Sequence, residues 1–180
     1  AELVDGDEVE ILNEREVGEY IPNYSNIWHK VRYHGNDGFV LSSFIEIQGQ
    51  ERDKIIELIK AKCLEHKMSD ANIMLAIATQ ESHFKPLAVS YRGAQGIFQL
   101  ASLAAKQMKV IDPLNFYQNI DGGVRYYKWI EGEVTGRGDI LEKRLVAWHS
   151  GRSNVPEKGS VDYSRLPHPI EARQFVKNVL

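Results

Sequence analysis

Glu81 is the residue whose surroundings point to acid–base chemistry. Met74, Ile77, Glu81 and Phe84 recur at spacings of three and four, so they share one stripe of a helix predicted over about residues 72–83. A carboxyl among apolar neighbours loses solvation of its charged form, and its pKa rises above the free value of about 4.3. A carboxyl that keeps its proton near neutral pH can serve as a general acid. On this spacing alone, the commoner arrangement is an exposed glutamate near a helix end.

The segment from Ala88 to Leu100 adds a second set of candidates. Gly93 and Gly96 stand three apart and allow a tight backbone path or the close approach of a ligand. Gln99 lies between Phe98 and Leu100, so its amide is half-buried and needs a partner. A loop leading into the next helix fits the same spacing. A phosphate loop does not, because the terminal Gly-Lys-Ser/Thr is missing. Cys63 falls on the apolar side of a predicted helix and reads as a buried structural thiol. His29, His34 and His66 are isolated and read as surface residues rather than ligands. No His-x-x-x-His pattern or cysteine cluster implies a metal, and no organic cofactor is implied.

Taken together, these residues resemble the catalytic domain of the soluble lytic transglycosylases, related to goose-type lysozyme. The resemblance rests on Gln80-Glu81-Ser82-His83-Phe84, Ala88-Val89-Ser90 and Gly93-Ala94-Gln95-Gly96-Ile97-Phe98-Gln99-Leu100. Asp112-Pro113 with Asn119-Ile120 and Gly122-Gly123 resembles the start of the family's long internal helix. Ala147-Trp148-His149-Ser150-Gly151 is similar to Ala-Tyr-Asn-x-Gly, and Ile170-Glu171-Ala172-Arg173-Gln174-Phe175-Val176 to the C-terminal Glu-Thr-Arg-x-Tyr-Val. The departures are Trp148 and His149 for Tyr and Asn, Phe98 for Met, and Ala172 and Phe175 for Thr and Tyr.

The resemblance implies a mainly α, lysozyme-like domain that cleaves the β-1,4 bond between N-acetylmuramic acid and N-acetylglucosamine in peptidoglycan. Glu81 is then the catalytic residue, acting first as acid and then as base, with closure of a 1,6-anhydro ring. Ser90, Phe98, Gln99, Trp148, His149 and Glu171 are the implied substrate-binding residues. Ser90 and Gln99 would bond the acetamido group or orient Glu81, Glu171 would orient a sugar, and Asp112 would be structural. Trp148 also fits a plain core aromatic. Two other readings stay open: a hydrolytic lysozyme, and a non-catalytic wall-binding protein.

The elements that must hold these residues begin near residue 52. Ile55, Ile56, Leu58, Ile59 and Cys63 fit one face of a helix, interrupted at Lys67–Asp70, where Ser69 or Asp70 can cap the next. The first fifty residues read differently. Glu8–Ile11 alternates as a strand does, Trp28–Tyr33 and Phe39–Leu41 read as two more, and Phe44–Ile47 closes the region. The turn between them is expected over His34–Gly38, with Gly38 supplying the positive φ. This stretch resembles a bacterial SH3-like domain over about residues 2–48, in a family whose members often bind wall material. The opening strand usual in that family is missing, so the module is expected to be truncated, rearranged or completed by another segment. Tyr20, Tyr24 and Trp28 could line a groove or form the core.

The expected organisation is therefore a small all-β SH3-like barrel over residues 1–48 and a catalytic domain over residues 52–180. Charge changes sign at the same point. Residues 1–50 hold 10 acidic and 3 basic side chains, whereas residues 51–180 hold 15 and 19. Of the 180 residues 43% are apolar and 26% charged, which excludes a disordered or collagen-like chain. No apolar run of about 18 residues exists to span a bilayer, and one cysteine forms no internal disulfide. A net charge of −3 argues against nucleic acid as partner. The expected partner is the peptidoglycan glycan strand, met by a monomer in the periplasm or at the cell wall. Residues 1–20 lack an apolar leader region, so either a leader was removed or a phage-type or secretion apparatus delivers the chain.

Overall fold

The computed structural model describes residues 3–4, 6–18, 27–45, 50–68, 70–136 and 138–180. Three strands come first: β1 (Glu10–Val17), β2 (Ile27–Tyr33) and β3 (Asn36–Leu41). They form one antiparallel sheet in the order β1-β2-β3. Among the described residues this sheet does not close on itself into the expected barrel. The hairpin also differs from expectation. Tyr33 pairs with Asn36, so the loop is His34-Gly35, whose φ angles are 48° and 79°. Two positive φ values are what a two-residue type I′ turn demands. Gly38 instead lies within β3 and pairs with Val31. Glu46, Ile47, the Gln48-Gly49 part of the linker, Tyr20, Tyr24 and Ser69 lie outside the described residues.

Six α-helices follow among the described residues: α1 (Gln50–Glu65), α2 (Asn72–Ser82), α3 (Ser102–Gln107), α4 (Phe116–Glu133), α5 (Ile140–Ser150) and α6 (Pro169–Val179). α1 buries Ile55, Ile59 and Cys63 at spacings of four, with Ile59 fully enclosed. The Asp70 carboxylate accepts the Asn72 N–H over 2.8 Å at the start of α2, a bond that satisfies one open donor of the first turn. Asn115 caps α4 by accepting the Gln118 N–H, and Pro169 sits in the first turn of α6, where its missing N–H costs nothing. α4 packs against α1 and α5, and α6 against α2 and α5. One continuous core runs from Ile55 to Val176 through all of these helices, and each fully buried aliphatic side chain contributes about 1.5–3 kcal/mol.

α4 carries three glycines with different consequences. A Cβ on Gly123 would stand 2.3 Å from Phe98 Cδ2, and one on Gly122 2.3 Å from Val110 Cγ2. Those absences of a side chain let the helix approach its neighbours. Nothing lies within 4 Å of a Cβ on Gly132. Gly132→Ala is therefore expected to stabilise the chain by about 0.5–1 kcal/mol through helix propensity. Gly123→Ala is expected to cost about 1–3 kcal/mol through overpacking. Urea unfolding of the two variants beside the parent checks both signs.

Candidate active site

Glu81 stands in the last turn of α2. Ile77 and Met74, one and two turns earlier on the same stripe, are fully buried, and they place the carboxyl at the edge of the core. The residue keeps a solvent-accessible edge, but protein surrounds its carboxyl. Burial raises its pKa from 4.5 to about 7, opposed by a hydrogen bond from Trp148. The negative end of the helix dipole disfavours an anion here and acts in the same direction as burial. α2 stops at once beyond this point: His83 and Phe84 both take positive φ, 54° and 65°. That backbone is sparsely populated for a phenylalanine. The buried Phe84 side chain and the Ser82 hydroxyl, which donates to Ile97 O over 2.8 Å, hold the turn in place.

The partner of Glu81 comes from α5. The Trp148 Nε1–H donates to Glu81 Oε1 over 2.8 Å. The indole is 8% exposed, so little of its face is open to a ligand. Phe98 meets it edge-on, with centroids 5.9 Å apart at 73°. Tyr126 and Tyr127 of α4 lie against it at 5.4 and 6.2 Å. Trp129 stacks on Tyr126 at 5.6 Å and 18°, extending the aromatic cluster along α4.

The loop from Ala88 to Leu100 folds beside this pair. Its backbone closes on itself, with Gly96 N–H donating to Ala88 O over 2.8 Å and Leu100 N–H to Gln95 O over 2.9 Å. Ser90 Oγ accepts the Ala94 N–H over 3.0 Å, which leaves its hydroxyl proton to offer a ligand. The Gln99 amide donates to Ala88 O and Gly96 O at 3.1 and 2.9 Å, so its Nε2 braces the loop. Phe98 is fully buried and lies beneath the site, between Trp148 and Gly123. Gly96 has a φ of 77°, and a Cβ there would meet Asn119 Nδ2 at 2.3 Å and Pro113 O at 2.4 Å. Only glycine fits that path.

Asn119 of α4 pins the loop from the other side. Its Oδ1 accepts the Phe98 N–H over 2.9 Å, and its Nδ2 donates to Gln95 O and Pro113 O at 2.9 and 2.8 Å. This side chain is fully buried. In the sequence Asn119 stands out only as part of a helix-start segment. Its signal is a poor helix former on a buried face beside Ile120 and Val124. Tyr126, which flanks Trp148, carries no such signal.

The remaining expected residues lie farther out. His149 Nδ1 is 3.2 Å from Ser150 Oγ, and its ring lies 5.2 Å from Phe175. Burial holds its pKa below the usual histidine value. Glu171 is exposed and pairs with Arg92 at 3.3 Å, tying the loop to the start of α6. Asp112 accepts the Leu114 N–H and pairs with Arg15 of β1 at 2.7 Å. Glu65, His66 and Asp121 bring ligand atoms within 4.8 Å of one another. Arg125 and Lys62 already reach Asp121 at 2.7 and 3.4 Å, so this cluster reads as an ion network joining α1 to α4.

The arrangement suits one chemical task. A carboxyl that is half protonated near neutral pH sits at an accessible edge, oriented by one donor. Burial is the main cause of its raised pKa, with no contribution from another carboxylate, and Asp112 and Glu171 are each paired with an arginine. A single group giving and then taking a proton fits this geometry.

Comparison with known proteins places these elements. The family model for the transglycosylase SLT domain matches residues 58–169. A membrane-bound lytic murein transglycosylase F of Desulfosudis oleivorans is 44% identical over 110 residues, 61% of this chain and 22% of that protein. A protein of the same name from Haemophilus influenzae is 32% identical over 113 residues, covering 61% and 20%. The chain thus spans about a fifth of the length of these relatives. The 70 kDa soluble lytic transglycosylase Slt70 of Escherichia coli aligns with a TM-score of 0.54 at 23% identity, over 68% of this chain and 22% of that one, and it shares the fold.

Proposed function

Because the chain belongs to the transglycosylase SLT domain family, we propose that it is a lytic transglycosylase acting on peptidoglycan. The bond cleaved is the β-1,4 link between N-acetylmuramic acid and N-acetylglucosamine. The observation that carries this reading is Glu81: a buried carboxyl, its pKa raised to about 7, with one hydrogen-bond donor. Protonated Glu81 gives its proton to the glycosidic oxygen as the C1–O bond breaks. The 2-acetamido oxygen of the muramic sugar bonds to C1 in its place. Glu81, now a carboxylate, takes the proton of the 6-hydroxyl, and O6 displaces the acetamido oxygen from C1. The acid is regenerated and no water is consumed. In two-carboxylate glycosidases the partners stand ~5–9 Å apart; a lone group raised by burial has no such need. Ser90 and Gln99 lie on the loop beside Glu81 and, with His149 and Glu171, are proposed to contact the sugars.

Digestion of purified peptidoglycan followed by mass spectrometry is expected to release 1,6-anhydromuropeptides. Reducing muramic ends in their place would make the chain a hydrolytic lysozyme, and no release would make it a wall-binding protein.

We further propose that residues 52–180 form the catalytic domain and residues 1–48 an SH3-like module that adds affinity for the wall. Support for the module is the hairpin of β2 and β3, with Val31 and Leu41 buried beneath it. The proposed place of action is the periplasm or cell wall. No helix among the described residues is long and apolar enough to cross a membrane.

A further inference from the structure

We propose that Trp148 is a positioning residue that decides which oxygen of Glu81 carries the transferable proton: by donating to Oε1, it confines that proton to Oε2. This rests on the reading of Glu81 as acid and then base. An indole N–H donates and cannot accept, whereas a hydroxyl does either. A protonated Oε1 is a much poorer acceptor for the N–H across 2.8 Å, and the bond would be weakened inside a buried pocket. With the proton on Oε2, the N–H···Oε1 bond survives both ionisation states. One oxygen then gives the proton to the leaving group and receives it back from the 6-hydroxyl.

The donor cannot turn away. Phe98, Tyr126 and Tyr127 pack around the indole, and Phe98 is held in turn by the bond from its N–H to Asn119. The titratable groups packed around the pair do not compete. Burial pushes Tyr126 up and Tyr127 to about 12, so both stay neutral. His149 on α5 feels Glu171, His168 and Arg92 as its charged neighbours. Among the described residues, burial and the indole itself act on Glu81, and no charged side chain does.

The test uses the full chain and reads the hydrogen bond directly. In ¹H–¹⁵N spectra from pH 4 to 10, the Trp148 indole resonance is expected to titrate with the midpoint of the Glu81 carboxyl carbon. It should remain downfield of the Trp28 and Trp129 indoles at both ends. Trp148→Phe identifies the resonance, raises the Glu81 midpoint, and lowers kcat about 10–100-fold with KM little changed, the loss of one donor to a charged acceptor. An indole that ignores the Glu81 titration in the parent chain overturns the assignment even if the variant does not fold. So does a folded Trp148→Phe variant with unchanged midpoint and kcat. A parent chain whose indole titrates as expected but which releases no anhydromuropeptide overturns the reading of function and leaves the hydrogen-bond assignment in place.

Discussion

Glu81→Gln is expected to lower turnover by about 10³-fold or more and to make the folded chain harder to unfold above pH 7. Glutamine keeps the shape of the side chain and an oxygen for the Trp148 N–H, but has no proton to give. The stability effect follows from linkage. The folded-state pKa of Glu81 is raised from 4.5 to about 7, so between those values the folded chain binds more protons than the unfolded one. Its unfolding free energy then falls as pH rises through that window. The favourable contribution is fully present below about pH 4.5 and is lost once Glu81 ionises above about 7. At pH 8.5 the parent therefore carries a buried anion that the variant lacks, a difference of about 3 kcal/mol at most. Near pH 4 the two chains should unfold alike. Urea unfolding at both pH values checks this. Equal stabilities at pH 8.5 would mean that the carboxyl is solvated, and retained activity would remove Glu81 from the mechanism. In the parent, kcat/KM is expected to fall about tenfold per pH unit above 7 as the acid form disappears.

The same carboxyl shows how far local pattern reaches. Met74, Ile77 and Glu81 lie on one helical stripe, and a period of 3.6 carries that information in a short window. The burial of Glu81 follows from it, as does the first helix through Ile55, Ile59 and Cys63. The strands were less legible. The alternation places a strand at Glu8–Ile11, whereas β1 runs from Glu10 to Val17. Its register shifts between Ile11 and Arg15, and such an irregularity breaks the two-residue alternation by which strands are recognised. The hairpin falls within the expected stretch, but its positive-φ glycine is Gly35 rather than Gly38, because both satisfy turn chemistry and only the pairing of Tyr33 with Asn36 selects between them. At the site, Glu81 could be read from its neighbours in sequence. Its donor could not, because Trp148 stands 67 positions away. Phe98, expected against the substrate, supports Trp148 from below; an apolar residue in a glycine-bounded loop has no local feature that tells the two positions apart.

Asn119→Leu is expected to destabilise the chain by about 3–5 kcal/mol, a large fraction of a domain's margin of about 5–15 kcal/mol. Leucine has the same branched skeleton with bulkier ends and prefers a helix, so neither a cavity nor propensity explains the loss. The cost arises from partners left behind. Phe98 N–H and Pro113 O each lose a bond of 2.9 and 2.8 Å to this side chain. Each buried group left unpaired costs about 1–3 kcal/mol. Gln95 O suffers less, because it still accepts the Leu100 N–H. Asn119→Asp should be no remedy. It keeps the acceptor for Phe98 N–H but turns the Nδ2 position into an oxygen facing two carbonyls. Both variants should melt about 10 °C lower, at 2–4 °C per kcal/mol for a chain of this size. At temperatures where they remain folded, kcat should fall as well. Phe98 braces Trp148, and Trp148 orients Glu81, so slack at Asn119 passes to the carboxyl through two packed aromatic rings. Calorimetry and turnover measured on the same preparations separate the effects. A melting temperature unchanged in Asn119→Leu would mean that the loop closes without its side chain, and that Gly96 is needed for some reason other than the approach of Asn119.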